Sequence, residues 1–299
     1  MKKIDRTAST YFAFQGAAVF AWWTGISVDE GFRAVFEMGT DRAVLSSFLL
    51  PDLIFLAPAS FAAAWLCYKG HEYKGIAAWF VTGLITYPTV YNFAFSLQTD
   101  SGWWGVIFMA PATLWSGVFA LGVSAPGRRM FRQTKEGSGR WMFAKTLTQI
   151  VVVWSLILGV FPYLIVLLER KLGIPYLDFS FQGVISEVLF MIASIPGVWS
   201  AWVMSMEGGG TPLPLDHAPK LVVSGPYRYI RNPMAFSGIG QGLVVALFWG
   251  SPLVAVYALI GSLIWQLVFR PLEEEDLEKR FGEPYLEYKN SVRCWVPKF

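Results

Sequence analysis

Cysteine and histidine are scarce in this chain, with two of each among 299 residues. Structural zinc sites need four ligands, and disulfide frameworks need several cysteines at characteristic spacings. The sequence therefore argues against a zinc site and against a disulfide-stapled domain. We expect no metal among its site residues.

Charged residues are also few. They make up 15% of the chain, whereas soluble domains average about 25%. Hydrophobic residues reach 55% and aromatic residues 17%. A chain with so little polar surface cannot face water on all sides, which excludes an ordinary soluble domain. The formal net charge of +3 is too small to indicate a nucleic-acid partner, and we expect none.

Long apolar stretches recur along the chain instead. A hydrocarbon core about 30 Å thick needs roughly 20 apolar residues for one helical crossing. The stretches predict an all-α integral membrane protein with about eight transmembrane helices, surrounded by the lipid bilayer. The predicted spans lie near residues 9–26, 48–68, 75–97, 103–123, 143–168, 182–204, 233–249 and 252–269.

Lys and Arg residues collect on one side of this predicted topology. With the N-terminus in the cytoplasm, most of the 24 Lys and Arg residues fall in cytoplasmic segments, as the positive-inside rule requires. We therefore predict a multi-pass protein with both termini cytoplasmic. A basic cytoplasmic loop at 127–142 separates a four-helix N-terminal region at 1–126, of unknown role, from a C-terminal membrane domain at 143–299.

Two cytoplasmic stretches, 206–235 and 270–299, carry most polar residues of the C-terminal third. Asn232 and Pro233 predict a helix start, because Asn can cap a helix and Pro suits its first position. Arg228 and Arg231 come just before it, where free N–H groups and the helix dipole favour an anion. The arginines could bind a carboxylate or phosphate there, or extend to lipid headgroups.

An acidic cluster, Glu273–Asp276, follows directly on the last apolar stretch. Glu275 and Asp276 have Lys279 and Arg280 four residues later. On a helix this spacing predicts two ordinary surface ion pairs.

Glu273 and Glu274 have no cation at that spacing, and the predicted topology brings them close to Arg231. A carboxylate in this place could bind an ammonium group or ribose hydroxyls. The run Gly208–Gly210 permits close approach of a ligand to the backbone, although a flexible turn explains it equally well.

Glu187 lies inside the sixth predicted helix. A carboxylate within the membrane is costly and is by default a functional candidate. The alternative is a structural role, in which Glu187 caps a buried hydrogen-bond network near the outer face.

Three sequence blocks together resemble the isoprenylcysteine carboxyl methyltransferase and phospholipid methyltransferase family of integral membrane enzymes. The resemblance extends over about residues 206–299 and is specific as an ordered set, whereas any block alone would be weak. The blocks read G-P-Y-R-Y-I-R-N-P-M at 225–234, E-E-E-D-L-E-K-R-F-G-E-P-Y-L-E-Y at 273–288 and V-R-C-W-V-P at 292–297.

The resemblance implies an S-adenosylmethionine-dependent methyltransferase whose C-terminal helical hairpin and cytoplasmic tail enclose the cofactor. It also implies a lipid or small amphiphilic acceptor that enters from the bilayer. Arg231 and Glu273 become the candidate catalytic residues. The candidate cofactor-binding residues are Gly208, Gly210, Gly225, Pro226, Tyr227, Arg228, Arg231, Asn232, Pro233, Glu273, Glu274, Tyr285 and Tyr288.

Two other functions are compatible with the sequence. Membrane NADPH-dependent reductases of sterols or enone lipids resemble this family in their C-terminal helices, although the paired glutamates fit the methyltransferases better. A non-catalytic membrane scaffold or transporter is the third interpretation. The sequence does not identify the methyl acceptor.

Overall fold

The computed structural model describes residues 3–38, 42–124, 139–210 and 218–296. Within these ranges the chain is helical and has no β-strand, so the predicted all-α fold class is confirmed. The chain divides into two compact units, Met1–Arg129 and Met130–Phe299.

The first unit is a helical bundle. Helix α1 (Lys3–Val28) packs along α3 (Arg42–Lys69), and α4 (Lys74–Thr99) packs along α5 (Trp103–Val123). Polar side chains also join its helices. Lys74 Nζ lies 2.5 Å from Asp5 Oδ2, and the Tyr11 hydroxyl donates to the carbonyl of Ala112 at 2.7 Å. The helices are α1 Lys3–Val28, α2 Glu30–Phe36, α3 Arg42–Lys69, α4 Lys74–Thr99 and α5 Trp103–Val123.

The second unit holds the longest helices. Three of these helices, α6 (Arg140–Lys171), α7 (Gln182–Gly208) and α9 (Pro252–Phe281), each contain a single π-helical turn. The turns lie at Ser155–Val160, Met204–Gly208 and Trp265–Phe269. Such a turn inserts an extra residue and is frequent at functional sites. The helices are α6 Arg140–Lys171, α7 Gln182–Gly208, α8 Pro233–Trp249, α9 Pro252–Phe281 and α10 Glu283–Ser291.

Each of the eight predicted spans lies within a helix. Among the described residues, five helices (α3, α5, α6, α7 and α9) are long and apolar enough to cross a membrane. They indicate a multi-pass membrane protein. The other three predicted spans lie in α1, α4 and the 17-residue α8, and eight crossings stay a prediction. Of the loop predicted at 127–142, residues 127–138 lie outside the described residues. Residues 140–142 belong to α6.

Helices α8 and α9 form the helical hairpin that the sequence predicts. Helix α8 begins at Pro233 and ends at Trp249, and α9 begins at Pro252. Polar side chains fix α8 to its neighbours: Trp154 Nε1 donates to Gln241 Oε1 at 2.6 Å, and Gln241 Nε2 contacts Ser194 Oγ at 2.7 Å. The hairpin therefore has a defined position against α6 and α7.

The start of α9 is held by side chains that accept hydrogen bonds from its first N–H groups. The N–H of Leu253 donates to Glu169 Oε1 at 2.7 Å, and that of Val254 donates to Ser251 Oγ at 2.9 Å. Glu169 is only 4% exposed and belongs to α6. The first N–H groups of a helix have no partner within it, so these contacts stabilise the hairpin and attach it to α6.

Replacing Glu169 with alanine should lower the free energy of unfolding by about 1–2 kcal/mol, because the N–H of Leu253 is left without its acceptor. The thermal unfolding of the protein in detergent micelles measures this change. Glu287→Ala, at an exposed position, is the control and should unfold like the wild type. Equal melting temperatures for the two variants would contradict the capping role.

Candidate functional site

A cleft opens in the second unit where the end of α7, the segment 218–232, the last turns of α9 and α10 meet. It encloses about 610 Å³ of space, including its open mouth. Of the residues predicted from the sequence, it brings together Tyr227, Arg231, Asn232, Glu273, Glu274, Tyr285 and Tyr288.

The hairpin explains why these residues meet. Because α8 and α9 are antiparallel neighbours, the start of α8 and the last turns of α9 lie at the same end of the unit. The tail then folds back over both: the Tyr288 hydroxyl donates to the Tyr227 carbonyl at 2.7 Å, and the N–H of Arg231 donates to the carbonyl of Arg293 at 3.1 Å. Sequence blocks more than forty residues apart therefore share one cleft.

The sequence suggested that the Asn232 side chain caps α8, but in the structure it makes no capping hydrogen bond. Its amide Nδ2 lies 3.4 Å from the sulfur of Cys294, and Trp295 Nε1 donates to Gln266 Oε1 at 2.8 Å. The Asn232 side chain thus contacts Cys294 in the segment 292–296 and not the first turn of α8. The backbone start of α8 at Pro233 is nevertheless as predicted.

Glu274 lies at the centre of a cluster of three cations. Its Oε1 is 3.3 Å from Arg231 Nη1 and 3.4 Å from Arg270 Nε, and its Oε2 is 3.1 Å from Lys289 Nζ. Its side chain is 13% exposed. The sequence placed Glu274 near Arg231 correctly, but the expectation that it lacks a helical partner was wrong, because Arg270 precedes it by four residues.

Lys289 joins α10 to this cluster. Burial works against its charge, but hydrogen bonds to Glu278 and Glu274 outweigh that effect and raise the pKa of Lys289. The ammonium group therefore stays charged at neutral pH and holds α10 against α9.

Both predicted ion pairs are present, but only the pair of Glu275 with Lys279 lies at the surface, whereas Asp276 and Arg280 are partly buried. Lys279 Nζ lies 2.8 Å from Glu275 Oε1, and Arg280 Nε lies 2.8 Å from Asp276 Oδ2. Arg280 has a second role that sequence reasoning missed, because its Nη1 also donates to the carbonyl of Ala218 at 3.0 Å and it lines the cleft. Helical spacing finds a partner on the same helix, but not one from a separate loop.

Three tyrosines form the side of the cleft next to Glu273. Burial raises the pKa of Tyr227, Tyr285 and Tyr288, and the Glu273 carboxylate adds to the effect in each case. A hydrogen bond with Ser200 opposes the shift at Tyr227. All three therefore stay neutral phenols at physiological pH and can donate hydrogen bonds.

Arg231 has hydrogen-bonding capacity that the protein itself does not use. Its Nε and Nη1 are buried and make no hydrogen bond, and neither does Glu274 Oε1, despite the 3.3 Å ion pair between Nη1 and Oε1. Buried donors are normally satisfied. A guanidinium that lines a cleft with such donors is suited to bind a carboxylate or phosphate.

Six of the predicted residues do not line the cleft. Gly208 and Gly225 allow close packing instead: a Cβ on Gly208 would lie 2.8 Å from Val222 Cγ2, and one on Gly225 would lie 2.7 Å from Val203 Cγ2. Arg228 is exposed. The six are Gly208, Gly210, Gly225, Pro226, Arg228 and Pro233.

Much of the cleft wall had no sequence signal. Leu277 and Phe281 recur with the tyrosines at a spacing of three to four residues, which is typical of one apolar face of a helix. The segment 218–222 has no motif, and its place depends on packing against Gly208. The lining residues that were not predicted as site residues are Met204, Ala218, Lys220, Leu221, Val222, Leu277, Arg280 and Phe281.

Comparison with family models gives one match. Residues 181–284 match the phospholipid methyltransferase family. The resemblance predicted from the sequence for about residues 206–299 is thereby confirmed as far as residue 284, and it indicates a membrane methyltransferase. No curated protein and no solved structure matches the chain.

The region matched to the phospholipid methyltransferases contains α7, α8 and α9 with the segment between α7 and α8. It includes Arg231, Glu273 and Glu274. Tyr285, Tyr288 and the segment 292–296 lie beyond it. Tyr285 and Tyr288 line the cleft, and hydrogen bonds join Tyr288 to Tyr227 and Arg293 to Arg231, which only the structure reveals.

Gly225→Ala should lower the free energy of unfolding by about 3 kcal/mol. Its backbone is left-handed, at φ +56°, which costs a side chain about 1 kcal/mol, and overpacking against Val203 costs about 2 kcal/mol more. Gly173→Ala is the matched control, because its φ is +65° and its Cβ would meet nothing within 4 Å. Thermal unfolding in micelles compares the two, and similar losses would contradict the packing argument.

Glu274→Gln should destabilise the protein by about 3 kcal/mol, because it leaves three partly buried cations without their shared carboxylate. Glu275→Gln removes the same charge from a surface pair and should cost less than about 1 kcal/mol. Denaturant unfolding of both variants tests the difference. A Glu274→Gln protein as stable as Glu275→Gln would show that the cluster is not structural.

Proposed function

We propose that the protein is an S-adenosylmethionine-dependent methyltransferase that acts on a lipid or another membrane-associated acceptor. The observation that carries the proposal is the cleft in which Arg231, with its unused donors, faces Glu273 and Glu274. The phospholipid methyltransferase match covers all three residues and supports it.

The residues of the cleft fit the amino-acid part of this cofactor, which carries one carboxylate and one ammonium group. S-adenosylmethionine supplies a methyl group activated by its sulfonium. Transfer of that group needs positioning and a dry site more than acid–base help. Arg231 would bind the carboxylate through Nε, which is buried and lacks a hydrogen-bond partner. The neutral phenols of Tyr227 and Tyr285 would donate hydrogen bonds to the ligand, whereas Tyr288 donates to the Tyr227 carbonyl, and all three rings would exclude water.

The two glutamates have different roles in this proposal. Glu274 is already neutralised by Arg231, Arg270 and Lys289, so it positions Arg231 and does not bind the ligand itself. Glu273 lies nearer the three tyrosines, whose pKa values it raises. We assign it the cofactor's ammonium group or ribose hydroxyls. If the acceptor must lose a proton, Glu273 or a water molecule takes it.

The acceptor in this proposal is an amphiphile that reaches the cleft from the bilayer, since the cleft is built on the ends of membrane helices α7 and α9. The family description favours a phospholipid. A prenylcysteine carboxylate, a small thiol and an isoprenoid lipid are the other acceptors to assay. The distribution of Lys and Arg favours a cleft on the cytoplasmic side.

Isothermal titration of the micelle-purified protein with S-adenosylhomocysteine and, separately, with NADPH tests the cofactor. We expect micromolar binding of the first and none of the second. Binding of NADPH alone would favour a reductase, and binding of neither would favour a scaffold or transporter. Glu273→Gln should weaken S-adenosylhomocysteine binding by about tenfold, as expected for one charge-assisted contact.

The matched control for that variant is Glu275→Gln, which removes a neighbouring charge outside the cleft and should bind like the wild type. Wild-type affinity in Glu273→Gln would remove the role assigned to Glu273, while leaving the cofactor identity to the first titration.

A further inference from the structure

A second groove lies between α7 and α8, at the end of α7 opposite to the cleft. It holds about 670 Å³ of space, open to the surroundings, and its walls include Phe190, Met191, Val244 and Phe248. Two polar residues, Ser186 and Glu187, also line it. At 1.5 Å per residue, the seventeen residues from Glu187 to Met204 span about 25 Å, so this groove is separate from the cleft.

Glu187 has no partner within the described part of the chain. Its side chain is exposed and makes no hydrogen bond or ion pair there. The alternative that it caps a buried hydrogen-bond network is therefore wrong. A carboxylate on a membrane helix normally pairs with a cation or faces a water-filled cavity, because its charge is costly in lipid.

Ser186 is a second, independent sign of a ligand. It is 1% exposed, and its hydroxyl makes no hydrogen bond in the structure. A serine within a helix usually donates to the carbonyl four residues earlier, as Ser194 does to Phe190 at 2.7 Å. The hydroxyl of Ser186 is therefore available to a group that occupies the groove.

The depth of the groove matches that of a lipid headgroup and its acyl chains. Helix α7 has 27 residues, which corresponds to about 40 Å, whereas the hydrocarbon core is about 30 Å thick. Glu187 lies five residues into α7, or about 8 Å from its end. It is thus close to the boundary between headgroups and hydrocarbon, level with Phe248 near the end of α8, while Met191 and Val244 line the groove farther from the end.

We propose that this groove binds a membrane lipid whose headgroup carries an ammonium ion. The ammonium pairs with Glu187, the Ser186 hydroxyl contacts the polar part of the headgroup, and an acyl chain lies along the apolar walls. Charge complementarity selects this occupant, because an anionic lipid would be repelled by the carboxylate. The proposal does not depend on methyl transfer, since it concerns the other end of α7.

Native mass spectrometry of the full chain, released from micelles with added lipid, tests the proposal. The probes are dioleoyl phosphatidylethanolamine, which has an ammonium group, and dioleoyl phosphatidylglycerol, which has none. The wild type should retain the first in preference to the second. Glu187→Gln should weaken phosphatidylethanolamine binding by about tenfold. It should not weaken phosphatidylglycerol binding, because it removes the charge that repels an anionic lipid.

Asp178→Asn is the matched control, because it removes an exposed charge near the start of α7 without touching the groove. It should bind both lipids like the wild type. Val244→Trp fills the groove without changing charge, and should reduce phosphatidylethanolamine retention even if Glu187→Gln does not fold.

Three results would overturn the proposal. The first is a wild type that does not prefer the ammonium lipid, and the second is an unchanged preference in Glu187→Gln or unchanged phosphatidylethanolamine retention in Val244→Trp. The third is a wild-type dimer that Glu187→Gln converts to monomer, which would mean that a second copy of the chain covers the groove.

Discussion

The contact between Arg231 and Glu274 ties the two ends of one helical hairpin together, and the cleft depends on it. Arg231 precedes α8 and Glu274 lies near the end of α9, so their contact sets the spacing between the helices at this end. Arg270 and Lys289 share the same carboxylate and bring the turn of α9 just after its π-helical segment, and the tail helix α10, into the cluster. Partial burial makes these attractions stronger than they would be in water, and makes the loss of any partner costly.

The cluster also explains how neighbouring acidic residues come to differ. Glu274 is surrounded by cations and is structural. Glu275 forms a surface pair with Lys279, and Asp276 pairs with the partly buried Arg280, which lines the cleft. Glu273 lines the cleft beside the tyrosines. Successive residues on a helix point in directions about 100° apart, so four adjacent carboxylates face four environments.

The two ends of α7 show contrasting ways to place a carboxylate in a membrane protein. Near the cleft the acidic side chains are paired with cations from several elements. At Glu187 the described chain supplies no cation, and a hydroxyl beside it is left without a partner. Glu169, in α6, is a third case, because it is buried and accepts a hydrogen bond from the first turn of α9. In each arrangement the surroundings of the carboxylate bear on the same free-energy cost, that of removing a charge from water.

The family match covers α7 to α9 and ends before Tyr285 and Tyr288. The tail residues Tyr285 and Tyr288, which the sequence resemblance had indicated, therefore rest on that resemblance and on their place in the cleft, outside the matched range. The position of the segment 218–222 is known only from the structure, although the segment lies inside the matched range. It carries no motif, and Arg280 and Gly208 hold it in place.

Several features of this protein follow from its sequence alone. Helical membrane segments are local and governed by hydropathy and length, so the all-α class, the start of α8 at Pro233 and the hairpin turn were all predictable. The pairs at four-residue spacing were predictable for the same reason. The tertiary structure decided that Asn232 turns to Cys294, that Glu274 has three cationic partners, and that six predicted residues lie outside the cleft. Those outcomes depend on which distant segments meet, and packing across the chain determines that, whereas the local pattern of residues does not.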